Sequence, residues 1–234
     1  AYACAYMASG LLAKGRYSEA MEKVRVGERQ DIRDTEVRLS LLRSGGLAAS
    51  ALSQREVAIS YLQDYMRLAP KAGRLEMITL GKELFDAGRY EESVESLAKA
   101  SEERHPDFMG QLALYYEGLG QLALNHPMKA HIAFDRAAEL DVYPRLTETA
   151  RFNAALALYS NNPGKMNEGT DRLADYLVHY PQGEYAAQAV DHLKDAYLND
   201  PDVDKALASI ERITPLPAPL RRTCLLYTSD AADE

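Results

Sequence analysis

The chain is poor in the residues that most often carry chemistry. Its 234 residues include no tryptophan, two cysteines and five histidines, and no HExxH pattern occurs. His126 and His131 lie five apart across a turn and a helix start, but no third ligand is placed to complete a metal site with them. Nucleophile motifs and glycine-rich nucleotide loops are missing as well. The Gly45-Gly46 pair is followed by neither Lys-Ser nor Lys-Thr and preceded by no strand-like alternation, so it is no phosphate loop. Basic residues number 27 against 35 acidic, a formal charge of -8, which argues against a non-specific nucleic-acid binder. No apolar run approaches the ~20 residues of a membrane-spanning helix. These gaps predict no catalytic residue, no cofactor and no metal: the chain is read as not an enzyme.

What the chain has in plenty is helical periodicity. The segment Arg74 to Ala100, RLEMITLGKELFDAGRYEESVESLAKA, places Met77, Leu80, Gly81 and Leu84 on one face of a first helix. Tyr90, Ser93, Leu97 and Ala100 mark one face of a second. Gly88 between them suits the left-handed backbone of a helix end. This helix-turn-helix hairpin recurs. The small residues Ala20, Ala58, Ser93, Ala130, Gly169 and Ala206 follow one another at intervals of 35 to 39 residues. The 15 tyrosines, against four phenylalanines, suit hairpins whose large residues are half-buried.

The hairpin resembles the tetratricopeptide (TPR) repeat, a helix pair of 34 residues with small and aromatic residues at fixed offsets. Counting Arg74 as the first position, Leu80-Gly81 falls on the family's Leu-Gly pair, Gly88 and Tyr90 on its Gly and Tyr, Ser93 on its small residue, Leu97 on its aromatic and Ala100 on its Ala. The resemblance implies an all-α fold, a right-handed α-solenoid of about six TPR-like hairpins. Their expected extents are 1–34, 35–70, 71–105, 106–143, 144–181 and 182–214, together one solenoid over 1–214. His105-Pro106 should close the third hairpin. Asn125-His126-Pro127 takes the place of the usual glycine turn in the fourth, and Asn161-Asn162-Pro163-Gly164 is an enlarged turn in the fifth. Cys4 reads as a small core residue rather than a reactive thiol.

Residues 215–223 contain Pro215, Pro217 and Pro219 and read as a Pro-rich linker or a truncated next repeat. Cys224 to Glu234, CLLYTSDAADE, resembles a translated sequencing-library transposon adaptor and is taken as a non-native tail. Without it Cys4 is the lone cysteine, which permits no internal disulfide. The chain is then expected to be a fragment of a longer protein.

In TPR proteins the first helices of successive hairpins line a concave groove. Carried over by position, that implies Leu75, Ile78, Lys82 and Phe85 from the third hairpin and Leu112, Tyr115, Leu119 and Leu122 from the fourth. The fifth would add Phe152 and Tyr159, and the sixth Asp191 and Asp195. Such an apolar and aromatic centre beside an acidic end could hold an extended peptide or an amphipathic helix. The competing reading is that half of these residues pack against neighbouring hairpins. The Lys and Asn residues with which some TPR domains clamp a carboxylate are replaced by Ala5, Ser9, Leu75 and Thr79, so chaperone-tail binding is not expected. Residues Asp175 to Ala186, DYLVHYPQGEYA, resemble a junction of bacterial cell-envelope TPR proteins; locally, Pro181 should end one helix and Tyr185 pack back on it. The resemblance thus implies a non-catalytic scaffold for a protein or peptide partner, part of a larger bacterial protein, with an extracytoplasmic location favoured over a cytoplasmic one. The alternative is a regulatory or docking arm of an enzyme or sensor whose catalytic domain lies outside this stretch.

Overall fold

A computed structural model describes residues 1–101, 106–161 and 163–223. The tail 224–234, His105 and Asn162 of the expected turns lie outside the described residues. The chain is all-α, with no strand among the described residues. It divides into two compact units, Ala1–His105 and Pro106–Glu234. The first unit comprises α1 (Tyr2–Ala13), α2 (Tyr17–Glu28), α3 (Thr35–Ala51), α4 (Arg55–Leu68), α5 (Arg74–Asp86) and α6 (Tyr90–Ser101). The second comprises α7 (Phe108–Ala123), α8 (Pro127–Leu140), α9 (Pro144–Tyr159), α10 (Glu168–His179), α11 (Ala186–Asn199) and α12 (Val203–Glu211). Each unit is three consecutive helical hairpins, and residues 218–223 are helical again.

Four hairpins turn through the same backbone device. One residue after the first helix stands at positive φ: Gly15 (71°), Ser53 (58°), Gly88 (76°) and Asn125 (58°). Glycine adopts this region freely, whereas serine and asparagine occupy it at a cost. Within the hairpins a small residue on the first helix admits a large one from the second. A Cβ added at Gly46, Gly81 or Gly118 would come within 2.6, 2.5 or 2.6 Å of Leu62, Leu97 or Phe134. All three large side chains are fully buried, and burying each stabilises by ~1.5–3 kcal/mol. The missing methyl groups are what let the helix pairs approach this closely.

Starts of helices are set locally. Asp34, Asp107 and Asp202 accept from backbone N–H groups of the first turns of α3, α7 and α12. Asn167 and Thr170 form a reciprocal capping box at α10, and Pro127 and Pro144 open α8 and α9. The enlarged turn of the fifth hairpin is held by side chains: Gly164 N–H donates to Tyr159 Oη at 2.8 Å and Met166 N–H to Asp200 Oδ2 at 3.2 Å. The last two hairpins share one apolar core built on Phe152, Tyr159, Leu173, Tyr176, Leu193, Tyr197 and Ile210. Leu220, from the helical stretch after the prolines, is buried in the same core. Cys4 is buried and a free thiol.

Candidate functional site

In the first unit the first helices of the three hairpins enclose a cleft of about 470 Å³. Helix α1 contributes Ser9, Leu12 and Ala13, α3 contributes Arg43, Leu47, Ser50 and Ala51, and α5 contributes Leu75 and Thr79, with Tyr17 at the start of α2. Beneath it, α5 turns two buried carboxylates towards α3. Arg43 Nε donates to Glu76 Oε1 at 2.6 Å, Ser50 Oγ donates to Glu83 Oε1 at 2.6 Å, and Arg55 Nε lies 3.8 Å from Glu83 Oε2. Burial of a carboxylate is tolerable only with such partners. The hydroxyls of Ser9 and Thr79 are also engaged. Ser9 Oγ lies 3.3 and 3.2 Å from the hydroxyls of Ser40 and Ser44, and Thr79 Oγ1 donates to the Leu75 carbonyl at 2.7 Å. What the cleft offers a visitor is therefore mainly leucine and tyrosine surface, with the half-exposed guanidinium of Arg43 at one side.

Of the residues implied for this unit, Leu75 lines the cleft and is 44% exposed. Lys82 lies one turn from Asp86 and donates to its Oδ2 at 2.8 Å. Phe85 is half-buried, its ring centroid 5.5 Å from that of Tyr90. Ile78 is corrected: it is buried and belongs to the interior. At ~100° per residue Leu75, Thr79 and Lys82 form one stripe, and Ile78 and Phe85 lie ~60–80° away from Leu75. Leu12, Tyr17, Leu47 and Arg43 were not implied. For Leu12 and Leu47 the signal was an apolar residue on the solvent side of the first helices of the first two hairpins, and Arg43 and Tyr17 carried no such signal.

The second unit has its own cleft of about 330 Å³, lined by Phe108, Leu112, Tyr115, Tyr143, Arg145, Leu146, Thr149, Glu184 and Tyr185. The exposed rings of Phe108 and Tyr143 meet edge-on with centroids 5.6 Å apart, and Arg145 pairs with Glu184 at 3.2 Å on the rim. Leu112 and Tyr115 both line this cleft. Tyr115 is half-buried against Phe134, and burial raises its phenol above the ordinary tyrosine value. Leu119 packs against the Phe134 and Ala154 cluster, and Leu122 stays exposed. Asp191 and Asp195 are exposed on α11 outside the residues that line the cleft.

Phe152 and Tyr159 are corrected in turn. Phe152 is buried and stacks on Tyr185 with centroids 4.6 Å apart and planes 9° from parallel. Tyr159 is buried, accepts from Gly164 and lies 5.0 Å from the His192 ring. Phe152 supports the cleft wall from within through Tyr185. Behind that wall, Glu148 Oε1 accepts from the Tyr176 hydroxyl at 2.8 Å and from Glu184 N–H at 2.7 Å, and Tyr185 N–H donates to Tyr176 Oη at 3.2 Å. Burial, then Glu148, holds the Tyr176 phenol well above its ordinary value. The Tyr185 ring therefore packs onto α9, while its backbone N–H bonds back to Tyr176 of α10, the helix it follows.

Neither histidine of the sequence pair is poised for a metal. His126 Nδ1 lies 3.1 Å from Gln121 Oε1, and His131 sits between the Ala154 carbonyl and Asp135. Among the described residues no group of three metal-ligating side chains occurs, and no helix is long and apolar enough to cross a membrane.

No protein-family model and no curated protein matches the chain. Solved structures do. The MamA RS-1 ArsTM double mutant is similar over 87% of this chain and 92% of its own, with a TM-score of 0.54 at 15% identity. A crystal structure of MamA covers 88% and 95% with a TM-score of 0.53 at 17% identity. PilF of Pseudomonas aeruginosa covers 88% and 96% with a TM-score of 0.50, also at 17% identity. At such identities the likeness is one of fold. These are TPR-repeat proteins, so the hairpins of this chain are TPR-like in three dimensions as well as in pattern.

Proposed function

We propose that this chain is a non-catalytic protein-interaction scaffold that holds a peptide or helix in the cleft between α1, α3 and α5. The fold supports the general role, since TPR-type structures serve as protein-binding scaffolds and are generally not enzymes. The observation that carries the specific reading is the composition of that cleft. The hydroxyls of Ser9, Ser50 and Thr79 and the Nε of Arg43 are already bonded within the protein, and Leu12, Leu47 and Leu75 remain as an apolar surface spanning three hairpins. Such a surface favours an occupant with leucine-like side chains at helical or alternate spacing over an ion or a small polar molecule. The Phe108–Tyr143 cleft is a second surface of the same character in the other unit. The junction at Asp175 to Ala186 supports placing the parent among larger bacterial cell-envelope proteins.

The test is a peptide selection. A displayed random-peptide library is panned on the wild-type chain, and the enriched peptides are measured on Leu47→Asp and Leu112→Asp proteins. The reading expects enrichment of apolar-patterned peptides and a loss of at least about tenfold in affinity with Leu47→Asp, since buried apolar anchors dominate such contacts. No enrichment, or affinity undiminished by Leu47→Asp, contradicts it.

A further inference from the structure

The two clefts share an apolar lining but differ in the charge around it. Residues 1–105 carry 16 basic and 16 acidic side chains, whereas residues 106–223 carry 11 basic and 16 acidic. Up to Thr223 the acidic excess therefore lies wholly in the second unit. The Phe108–Tyr143 cleft follows that trend. Glu184 stands on its rim, and Asp107 and Asp141 lie one and two residues along the chain from its two exposed rings. Arg145 is the one basic residue of the lining, and its guanidinium is held on Glu184 at 3.2 Å. In the first cleft the one charged residue of the lining is Arg43.

The linings also differ in kind. Phe108, Tyr115, Tyr143 and Tyr185 line the second cleft, against Tyr17 alone among aromatic residues in the first. Phe108 is 44% and Tyr143 49% exposed, and the two rings meet edge-on. An edge-on contact covers one face of one ring and leaves the other faces to their surroundings. The face is the negative part of an aromatic ring, and it attracts a cation set over it. Acidic groups nearby add to that attraction. The chain itself places a guanidinium at this rim, that of Arg145 on Glu184. With 73% and 49% of the two side chains exposed, that ion pair adds little to stability, so a visiting cation takes over the carboxylate at small cost.

We infer that the Phe108–Tyr143 cleft takes a basic peptide, which seats an arginine or lysine side chain over the two exposed rings and beside Glu184 and lays apolar neighbours on Leu112 and Leu146. This rests on the scaffold reading for the kind of partner, but it concerns the other cleft and a charged anchor. A nucleic acid or an acidic peptide would meet the carboxylates of this unit and be repelled. The same basic peptide would meet Arg43 at the first cleft, so charge directs it to the second.

The experiment is fluorescence anisotropy of labelled octapeptides titrated with the full chain: one alternates leucine with arginine, one leucine with glutamine and one leucine with glutamate. The arginine peptide should bind at least about tenfold more tightly than the glutamine peptide, and the glutamate peptide most weakly. Phe108→Leu keeps an apolar side chain and removes the ring. It should weaken the arginine peptide by about threefold to tenfold and leave the glutamine peptide as it is. Glu184→Gln should likewise weaken the arginine peptide. Both side chains are exposed, so both proteins should keep the wild-type helix content. Leu47→Asn, in the first cleft, should leave the arginine peptide unchanged. Equal affinity for the arginine and glutamine peptides overturns the inference and leaves the scaffold reading standing. A preference for arginine that survives Phe108→Leu is attraction to the acidic surface at large and overturns it too, as does loss of that binding with Leu47→Asn. Absence of binding by all three peptides also overturns it, while the scaffold reading stands or falls by the peptide selection at the first cleft.

Discussion

At the scale of single residues the glycines divide into those that are filled around and those that are not. Gly118→Ala would drive a methyl group into the Phe134 ring, and it is expected to destabilise the protein by about 1–3 kcal/mol. Gly10→Ala meets open space in a helix and should stabilise by about 0.5–1 kcal/mol. Urea denaturation at low protein concentration reads both, and equal effects would contradict the packing account. Ser53 and Asn125 hold the left-handed turn position that Gly15 and Gly88 hold elsewhere. Ser53→Gly should therefore raise stability by about 0.5–1 kcal/mol, and Asn125→Gly by less, because asparagine tolerates that region better. The pattern around Gly81, Gly88 and Leu97 was legible because each residue type answers a local demand. Ile78 was not, since positions 75 and 78 differ only in which neighbour they meet, and that is settled by the neighbouring helices.

At the scale of elements, the link from α9 through α10 to the start of α11 runs through Glu148, Tyr176 and the backbone of 183–185. Gly183 is needed there because a Cβ would lie 2.3 Å from Glu148 Oε1 and 2.6 Å from Tyr176 Oη. The raised phenol of Tyr176 means the folded state favours its neutral form. Its contribution to stability is present below the ordinary tyrosine value of ~10 and is lost as pH rises beyond it. Tyr176→Phe should lower stability by about 1–2 kcal/mol at neutral pH and lessen the alkaline loss. Tyr61, raised by burial and by Glu28, keeps part of that loss in place. Urea midpoints between about pH 7 and about pH 11 decide it: an alkaline profile unchanged by the substitution would contradict the assignment. The sequence showed this junction only as Pro181 and Tyr185 closing a helix. Glu148, its central acceptor, lies 28 residues before Tyr176, beyond the reach of any local pattern.

At the scale of the whole molecule, a hairpin pattern that repeats six times was enough to announce an all-α repeat fold, because each hairpin makes the same demand on its neighbours. The lining of the clefts was legible only in part. Leu75, Leu112 and Tyr115 line clefts, whereas Phe152 and Tyr159 were drawn into the core by the fifth hairpin's enlarged turn and by Tyr185. Leu47 and Leu12 went unmarked because a groove residue is defined by what surrounds it and not by its own type. The central claim is that the α1–α3–α5 cleft binds a partner by burying apolar side chains. Its most direct test is isothermal titration, at several temperatures, of a selected peptide into the wild-type and Leu47→Asp proteins. The account predicts a negative heat-capacity change with the wild type and a loss of at least about tenfold in affinity with the variant. Equal affinity for both proteins, or binding with no negative heat-capacity change, would contradict it.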